Sequence, residues 1–318
     1  MATKKTKKKK IETTRVVIVG AGSVGATAAF AIMVQGVASE IVLIDVNQKK
    51  CQGEARDLEQ GLSFVPQTKV WAGSYADCKT ADIIIITAGI AQKPGQTRLE
   101  LTNTNARIVR EVVANIRRHT AETVILMVTN PLDVMTYIAQ QTAKLPAGQI
   151  FGTGTTLDSS RFRYYLAQRV GIAPTSVGAY LLGEHGDSSV PVYSHVNVMG
   201  EPFSALTGLG KKVAEDAYKT TKNAAYEVIA KKGATYYAIA LAVARIVRSV
   251  LYDENHIFPV SVNLTGQYGI KNVCLSLPAA VGRRGISKIY TPKLSTDELK
   301  RLKKSAAIIR KTIDQTKK

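Results

Sequence analysis

The sequence is poor in the residues that mark several classes of protein. It has three cysteines, Cys51, Cys78 and Cys274. They are scattered and odd in number, which fits neither a disulfide framework nor metal-ligand spacing, so no metal is expected. They read as small buried hydrophobes in a reducing compartment. No apolar run reaches the roughly 20 residues that a membrane span needs. The N-terminus carries no apolar signal core, so a cytoplasmic location is expected and export is not. Acidic residues are scarce, 24 against 43 Lys and Arg, for a formal charge of +19. Yet no zinc-finger spacing, helix-turn-helix signature or aromatic-interleaved basic repeat goes with that charge. No specific nucleic-acid partner is expected, because net charge alone speaks to non-specific association and not to fold.

Part of the charge is local. Residues 1–14 hold six lysines and one glutamate, about +5, leaving about +14 on the rest. Such a run repels itself and buries nothing, so it reads as a disordered arm that touches polyanions weakly at most. The remaining chain has ample material for a core. Of 318 residues, 45% are hydrophobic, which suits roughly two soluble domains.

After the arm, Val16-Val17-Ile18-Val19 is a β-branched run suited to a strand buried on both faces. Gly20-Ala21-Gly22-Ser23-Val24-Gly25 follows at once, then helical spacing over 26–35, then the strand-like run 41–44 ending at Asp45. This is G-x-G-x-x-G in its required setting, with an acid 20 residues beyond the last glycine. Gly20 permits the tight turn, Gly22 lets a pyrophosphate reach the backbone, and Gly25 lets helix pack on strand. The helix start at Ser23 and Val24 offers N–H groups to that pyrophosphate. Asp45 can accept from ribose hydroxyls and would repel a 2′-phosphate, which favours NAD over NADP.

Alternation continues. Helical spacing over 47–62, 105–119 and 132–141 separates strand-like runs at 69–71, 83–86 and 124–128. That pattern predicts a Rossmann-type doubly wound parallel sheet, an α/β fold. Ligands bind such sheets beyond the strands' carboxyl ends. Thr87-Ala88-Gly89 and Val128-Thr129-Asn130-Pro131 fall there, so Thr87, Ala88, Gly89, Val128 and Asn130 are cofactor candidates. Residues 90–100 are polar and carry a Pro-Gly pair, which suits either a closing lid or a plain surface loop. Beyond residue 153 the alternation stops. A helix over 155–169 places Asp158 and Arg161 at i and i+3 on one face, a spacing equally natural for an exposed ion pair. Short strands and turns follow, including 191–198, then helices over 209–231 and 235–252. Strands at 257–262 and 273–277 and a basic helix over 296–313 complete a mixed α+β second domain. The boundaries read as 1–14 arm, 15–153 dinucleotide-binding domain and 154–318 substrate domain. In the second domain His185 sits between Gly183-Glu184 and Gly186-Asp187 after an apolar run. Its unperturbed pKa suits proton transfer, although a histidine in a glycine-rich turn is ordinarily structural.

Six segments together resemble the L-lactate/malate dehydrogenase family, and within it the bacterial L-lactate branch. They are Val19–Gly25, Gln92-Lys93-Pro94-Gly95-Gln96-Thr97-Arg98, Val128–Pro131, Leu157-Asp158-Ser159-Ser160-Arg161-Phe162-Arg163, Gly183–Ser188 and Lys232-Gly233-Ala234-Thr235-Tyr236-Tyr237. The resemblance runs from about Thr14 to Ile313. It implies NAD-dependent reduction of pyruvate to L-lactate, as in fermentative glycolysis, by a homotetramer. His185 is then the proton donor, Asp158 its orienting carboxylate, Arg161 the substrate anchor and Arg98 the group that polarises the carbonyl. Asn130 and Thr235 line the substrate site. Gln92 matches the position that carries Arg in members preferring oxaloacetate, so a neutral amide there points to pyruvate, with malate or another 2-hydroxy acid as the alternative. Ile90, Ala91 and Gln96 depart from the usual lid. Arg163 matches an arginine that binds fructose 1,6-bisphosphate in activated members, but its partner histidine is aligned to Tyr180, which carries no positive charge. Activation by that sugar phosphate is expected to be weak or absent.

Overall fold

The computed structural model describes residues 13–90, 97–146 and 148–316, with Arg98 by its backbone alone. The lysine-rich arm up to residue 12 and residues 91–96, Gln92 among them, lie outside the described residues. Thr14, grouped with the arm on charge, is already tied to the sheet. Its carbonyl accepts from Glu40 N at 2.9 Å and its N–H donates to Ser39 Oγ at 3.4 Å.

The first half alternates as the hydrophobic pattern dictates. Its strands are β1 (Arg15–Val19), β2 (Glu40–Ile44), β3 (Lys69–Ala72), β4 (Ile83–Ile86), β5 (Val124–Met127) and β6 (Ile150–Gly152). Between them run α1 (Ser23–Val34), α2 (Gln48–Gln60), α3 (Arg98–His119) and α4 (Leu132–Ala143). The six strands are parallel in the order β6-β5-β4-β1-β2-β3. The order reverses between β1 and β4, the crevice where such sheets take ligands. Every residue of β4 is 0% exposed, as a strand covered on both faces requires.

The second half begins with α5 (Thr156–Val170) and five two-residue strands: β7 (Val177–Gly178), β8 (Leu181–Leu182), β9 (Val190–Pro191), β10 (Asn197–Val198) and β11 (Glu201–Pro202). Then come α6 (Phe203–Thr207), α7 (Lys211–Lys232), α8 (Tyr237–Leu251), β12 (His256–Thr265), β13 (Lys271–Gly282), β14 (Gly285–Ile289) and α9 (Thr296–Thr316). The long antiparallel strands extend the first sheet, because β12 joins β6 through the pair Ser261 and Gly152. One apolar core therefore lies along the whole sheet, and a smaller one sits under α5, with Phe162, Leu166 and Val177 in it.

Three local expectations need correction. Helix α3 starts at Arg98, seven residues before the expected Asn105, so the end of the polar segment is helical. Thr97 and Glu100 form a capping box: Thr97 Oγ1 accepts from Glu100 N at 3.2 Å, and Glu100 Oε2 accepts from Thr97 N at 2.9 Å. The run 191–198 is not one strand, since a 3₁₀ turn at Tyr193–His195 breaks it. Strand β14 was not anticipated. It follows a tight turn in which Gly285 adopts φ +86°.

Candidate active site

The glycine turn joins β1 to α1. Gly20 holds φ +111°, and a Cβ there would lie 2.6 Å from both Ala88 N and Thr87 Oγ1. A Cβ on Gly25 would lie 1.8 Å from the Gly20 carbonyl oxygen. Those two glycines are demanded by the protein's own packing. Gly22 is different: a Cβ there would meet nothing within 4 Å. The space beside Gly22 is open at the start of α1, which has no side-chain cap and no acid in its first turn. Its first N–H groups are thus left for an anion, next to exposed Ser23 and half-buried Val24.

Asp45 closes this turn from the end of β2. Its carboxylate accepts from Ala21 N at 2.7 Å and from Asn47 N at 2.8 Å. At the end of β4, Thr87 Oγ1 donates to the Gly20 carbonyl at 2.8 Å. Thr129 Oγ1, just past Val128 at the end of β5, donates to the Ala88 carbonyl at 2.8 Å. The residues anticipated from sequence thus form one rim at the strand ends. Open backbone for a pyrophosphate and an acid for a ribose fit a nicotinamide dinucleotide.

His185 lies in the loop between β8 and β9. Gly183 at φ +84° starts that loop, and its N–H and C=O bond reciprocally to Ser276 on β13 at 3.0 and 2.9 Å. Ser305 of α9 accepts from Glu184 N at 2.9 Å. These bonds fix the loop from two sides. The imidazole Nδ1 lies 2.5 Å from Asp158 Oδ2, in the first turn of α5. One turn on, Arg161 Nη1 donates to Asp158 Oδ1 at 3.2 Å, its only hydrogen bond among the described residues. The imidazole side chain retains 24% exposure, so the ring has an open side. Asp158 claims Nδ1, and Nε2 is the atom left to meet a substrate.

The charges follow from this geometry. Burial opposes a proton on His185, but the Asp158 carboxylate and its hydrogen bond outweigh it and raise the imidazole to about 8. Burial likewise opposes ionisation of Asp158, yet the His185 charge, then Arg161, hold that carboxyl below its ordinary value. A protonated imidazole beside a carboxylate and a guanidinium can give a proton and hold an anion.

Two family profiles match the chain in succession. Residues 14–152 match the lactate/malate dehydrogenase NAD binding domain, and residues 155–318 match the lactate/malate dehydrogenase alpha/beta C-terminal domain. The chain belongs to the lactate/malate dehydrogenase family. An L-lactate dehydrogenase from a Synechococcus strain is 44% identical over 298 residues, covering 93% of this chain and 97% of that one. One from a Thermoanaerobacter strain is 44% identical over 306 residues, covering 95% and 98%. Among solved structures, the ligand-bound minor L-lactate dehydrogenase of Enterococcus mundtii superposes with a TM-score of 0.93 at 40% identity, covering 95% of this chain and 98% of that one. A lactate dehydrogenase from a Medee basin deep-sea metagenome gives 0.94 at 38%, covering 97% and 100%.

Within this family member the other expected site residues sit apart or carry a second tie. Asn130, in a cis bond to Pro131, offers its carbonyl to Asn105 Nδ2 at 2.8 Å. Thr235 is half-buried in the turn between α7 and α8. Arg163 and Tyr180 line a cavity of about 530 Å³ whose walls include neither His185 nor Asp158. The Tyr180 hydroxyl lies 2.5 Å from His195 Nδ1.

Two residues that sequence reasoning missed matter here. Asn105 is 2% exposed on the apolar face of α3, and its side chain also bonds both N and O of Ile90. A polar residue within the stripe Ala106, Val109, Val113 was the available signal. Asp133 is 1% exposed, with Oδ2 accepting from His185 N at 2.8 Å and Oδ1 from Ser261 Oγ at 2.6 Å. Its signal was an acid three residues beyond Asn130, at a ligand-facing strand end.

Proposed function

We propose that the chain catalyses reversible hydride transfer between NADH and pyruvate, giving L-lactate. The observation that carries this reading is the His185–Asp158–Arg161 constellation beside an NAD-binding fold. Gly20, Gly22, Gly25 and the start of α1 would hold the pyrophosphate, and Asp45 the adenosine ribose. NADH, when bound, supplies the hydride that reduces the carbonyl carbon.

The chain's own residues do the rest. Arg161 pairs with the substrate carboxylate through N–H groups not given to Asp158 and so fixes its orientation. His185, protonated, delivers its proton from Nε2 to the carbonyl oxygen. Asp158 stabilises the imidazolium and holds the ring, the role of an acid in a triad. Arg98 polarises the carbonyl and offsets the developing oxyanion. Asn130 and Thr235 line the remainder of the site. In the reverse direction neutral His185 accepts the proton.

Gln92 sets the substrate in this reading. It offers no charge to a second carboxylate, whose desolvation would then go uncompensated. The test is NADH oxidation with a panel of 2-oxo acids. Pyruvate is expected to give the highest kcat/KM, and Gln92→Arg to shift preference toward oxaloacetate. A wild type that favours oxaloacetate would overturn the assignment. Fructose 1,6-bisphosphate in the same assay is expected to leave the pyruvate KM nearly unchanged, since Tyr180 adds no positive charge to Arg163.

Assembly, division and location belong to the same proposal. Exposed apolar residues on α1 and α8, among them Phe30, Val34, Tyr237 and Leu241, support a homotetramer. The two profiles meet between residues 152 and 155, which supports a division near 153. Among the described residues no helix is long and apolar enough to cross a membrane. The three cysteines are buried and unpaired, as a reducing cytoplasm allows.

A further inference from the structure

Asp133 holds a position that packing alone does not explain. It lies in the first turn of α4, between β12 and the His185 loop. Both its oxygens are engaged, one by the backbone N–H of His185 and one by the Ser261 hydroxyl. An asparagine there would accept from only one of those two donors, so the site calls for a carboxylate. A carboxylate at 1% exposure carries a desolvation cost that a neutral group avoids. Something nearby must offset a negative charge.

The surrounding charges identify it. Within electrostatic reach of Asp133 are His185 and Glu184 from the loop and the Cys274 thiol from β13. Glu184 is engaged elsewhere, accepting from Ser188 N at 3.1 Å and from the Ser188 hydroxyl. Cys274 is pushed well up by burial and stays a neutral thiol. Toward His185, α5 adds Asp158 and Arg161. Counting Glu184, three carboxylates, one guanidinium and one imidazolium leave a single net negative charge when His185 is protonated. With His185 neutral, the same cluster is left with a second uncompensated negative charge. The α4 N-terminus adds partial positive charge on the Asp133 side.

We propose that Asp133 is a second positioning residue for His185, fixing its backbone through the amide and supplying a buried negative charge that supports the imidazolium. Asp158 then holds the ring from α5 while Asp133 holds the main chain from α4. The inference rests on His185 being the proton donor of the proposed reaction. Burial raises the Asp133 carboxyl to about 6, against the opposing hydrogen bonds from Ser261 and His185. Asp133 is therefore charged at neutral pH and loses its charge near the acid end of the working range.

The test is Asp133→Asn, which keeps an acceptor for His185 N, removes the charge and turns the oxygen facing Ser261 into an N–H donor that the serine hydroxyl can accept. Titration of isotope-labelled histidine by NMR in the full chain reads His185 directly, without substrate; His185→Gln assigns the resonance. The His185 titration is expected to move down by about half a unit or more, roughly threefold in the ratio of protonated to neutral ring. The upper limb of the pH profile of kcat/KM for pyruvate should move with it, while the NADH Kd stays within about twofold. An unmoved His185 titration in a folded variant would overturn the proposal. If Asp133→Asn does not fold, Ser261→Ala replaces it. Loss of that hydroxyl raises the Asp133 carboxyl further, so the inflection that Asp133 imposes near 6 on the His185 resonance should shift upward, and an unchanged titration would count against the role. Wild type that titrates as expected but does not reduce pyruvate would defeat the proposed reaction and leave the Asp133–His185 coupling standing.

Discussion

The side-chain amide of Asn105 donates to the backbone carbonyl of Asn130 at 2.8 Å while the same side chain bonds both N and O of Ile90. One buried residue of α3 thus joins the end of β5 to the root of the 91–96 segment. Asn105→Ala leaves two part-buried carbonyls and one part-buried N–H without their partner. Each such loss costs about 1–3 kcal/mol. The expected result is a drop in unfolding free energy of about 2 kcal/mol or more by denaturant titration. Because Asn130 and the root of 91–96 loosen together, the pyruvate KM should rise severalfold while the NADH Kd changes little. A variant destabilised with unchanged KM would reduce Asn105 to a packing residue.

The three glycines of the turn should separate under mutation. Gly25→Ala drives a Cβ to 1.8 Å from the Gly20 oxygen, so α1 must shift off β1. A loss of several kcal/mol in stability is expected, in the range of severe overpacking, about 1–3 kcal/mol or more. Gly22→Ala meets nothing in the protein. Its Tm should hold, while its NADH Kd rises by about tenfold or more, roughly 1.4 kcal/mol. Thermal melts and cofactor titration on the two variants make the comparison. Equal loss of Tm in both would contradict the open space seen beside Gly22.

Asp45 offers a third contrast. Its carboxylate takes Ala21 N and Asn47 N, so it shapes the turn beside its proposed role at the ribose. Asp45→Ser removes the charge that excludes a 2′-phosphate. The ratio of kcat/KM for NADH over NADPH should fall by about tenfold or more, the effect of one lost charge interaction of about 1.4 kcal/mol. Some stability should go with it, because serine is too short to reach both amides. Unchanged cofactor preference would show that another residue reads the ribose.

Much of this was legible in the chain. Period-two and continuous apolar runs such as Ile83–Ile86 marked the strands, because a doubly covered strand tolerates nothing else. The glycine turn and Asp45 were readable since Gly20 and Gly25 answer local steric demands and Gly22 keeps the backbone open beside them. Helix α3 started early because the Thr97–Glu100 capping box went unread inside a polar segment. Ser305 was not readable, and Asp133 showed its place near a strand end but not its contact with His185, since both reach His185 or its loop from distant helices. Partners joined only by tertiary packing leave no spacing in the sequence. The sheet extension by β12 escaped for the same reason, as Gly152 and Ser261 are far apart in the chain.

The dyad itself makes a prediction whose sign is fixed by its charges. Pyruvate reduction uses the imidazolium, and His185 is raised to about 8 from an ordinary 6.5. Its kcat/KM should be level below about 8 and fall about tenfold per unit above it. Lactate oxidation uses the neutral ring and should rise through the same pH, then level. The stability that the pair contributes is present below 6.5 and is lost as pH rises through about 8. Asp158→Asn removes the carboxylate that outweighs burial, so the reduction limb should move below 6.5. It also frees the Nδ1 proton to move to Nε2 and loosens Arg161, which loses its 3.2 Å partner. Reduction at neutral pH should fall by about 100-fold or more, the usual worth of a positioned general acid. Steady-state rates in both directions from pH 5 to 10, roughly spanning the ordinary and shifted values, supply the measurement. If Asp158→Asn kept the wild-type limb, the proton would have to come from a group other than His185.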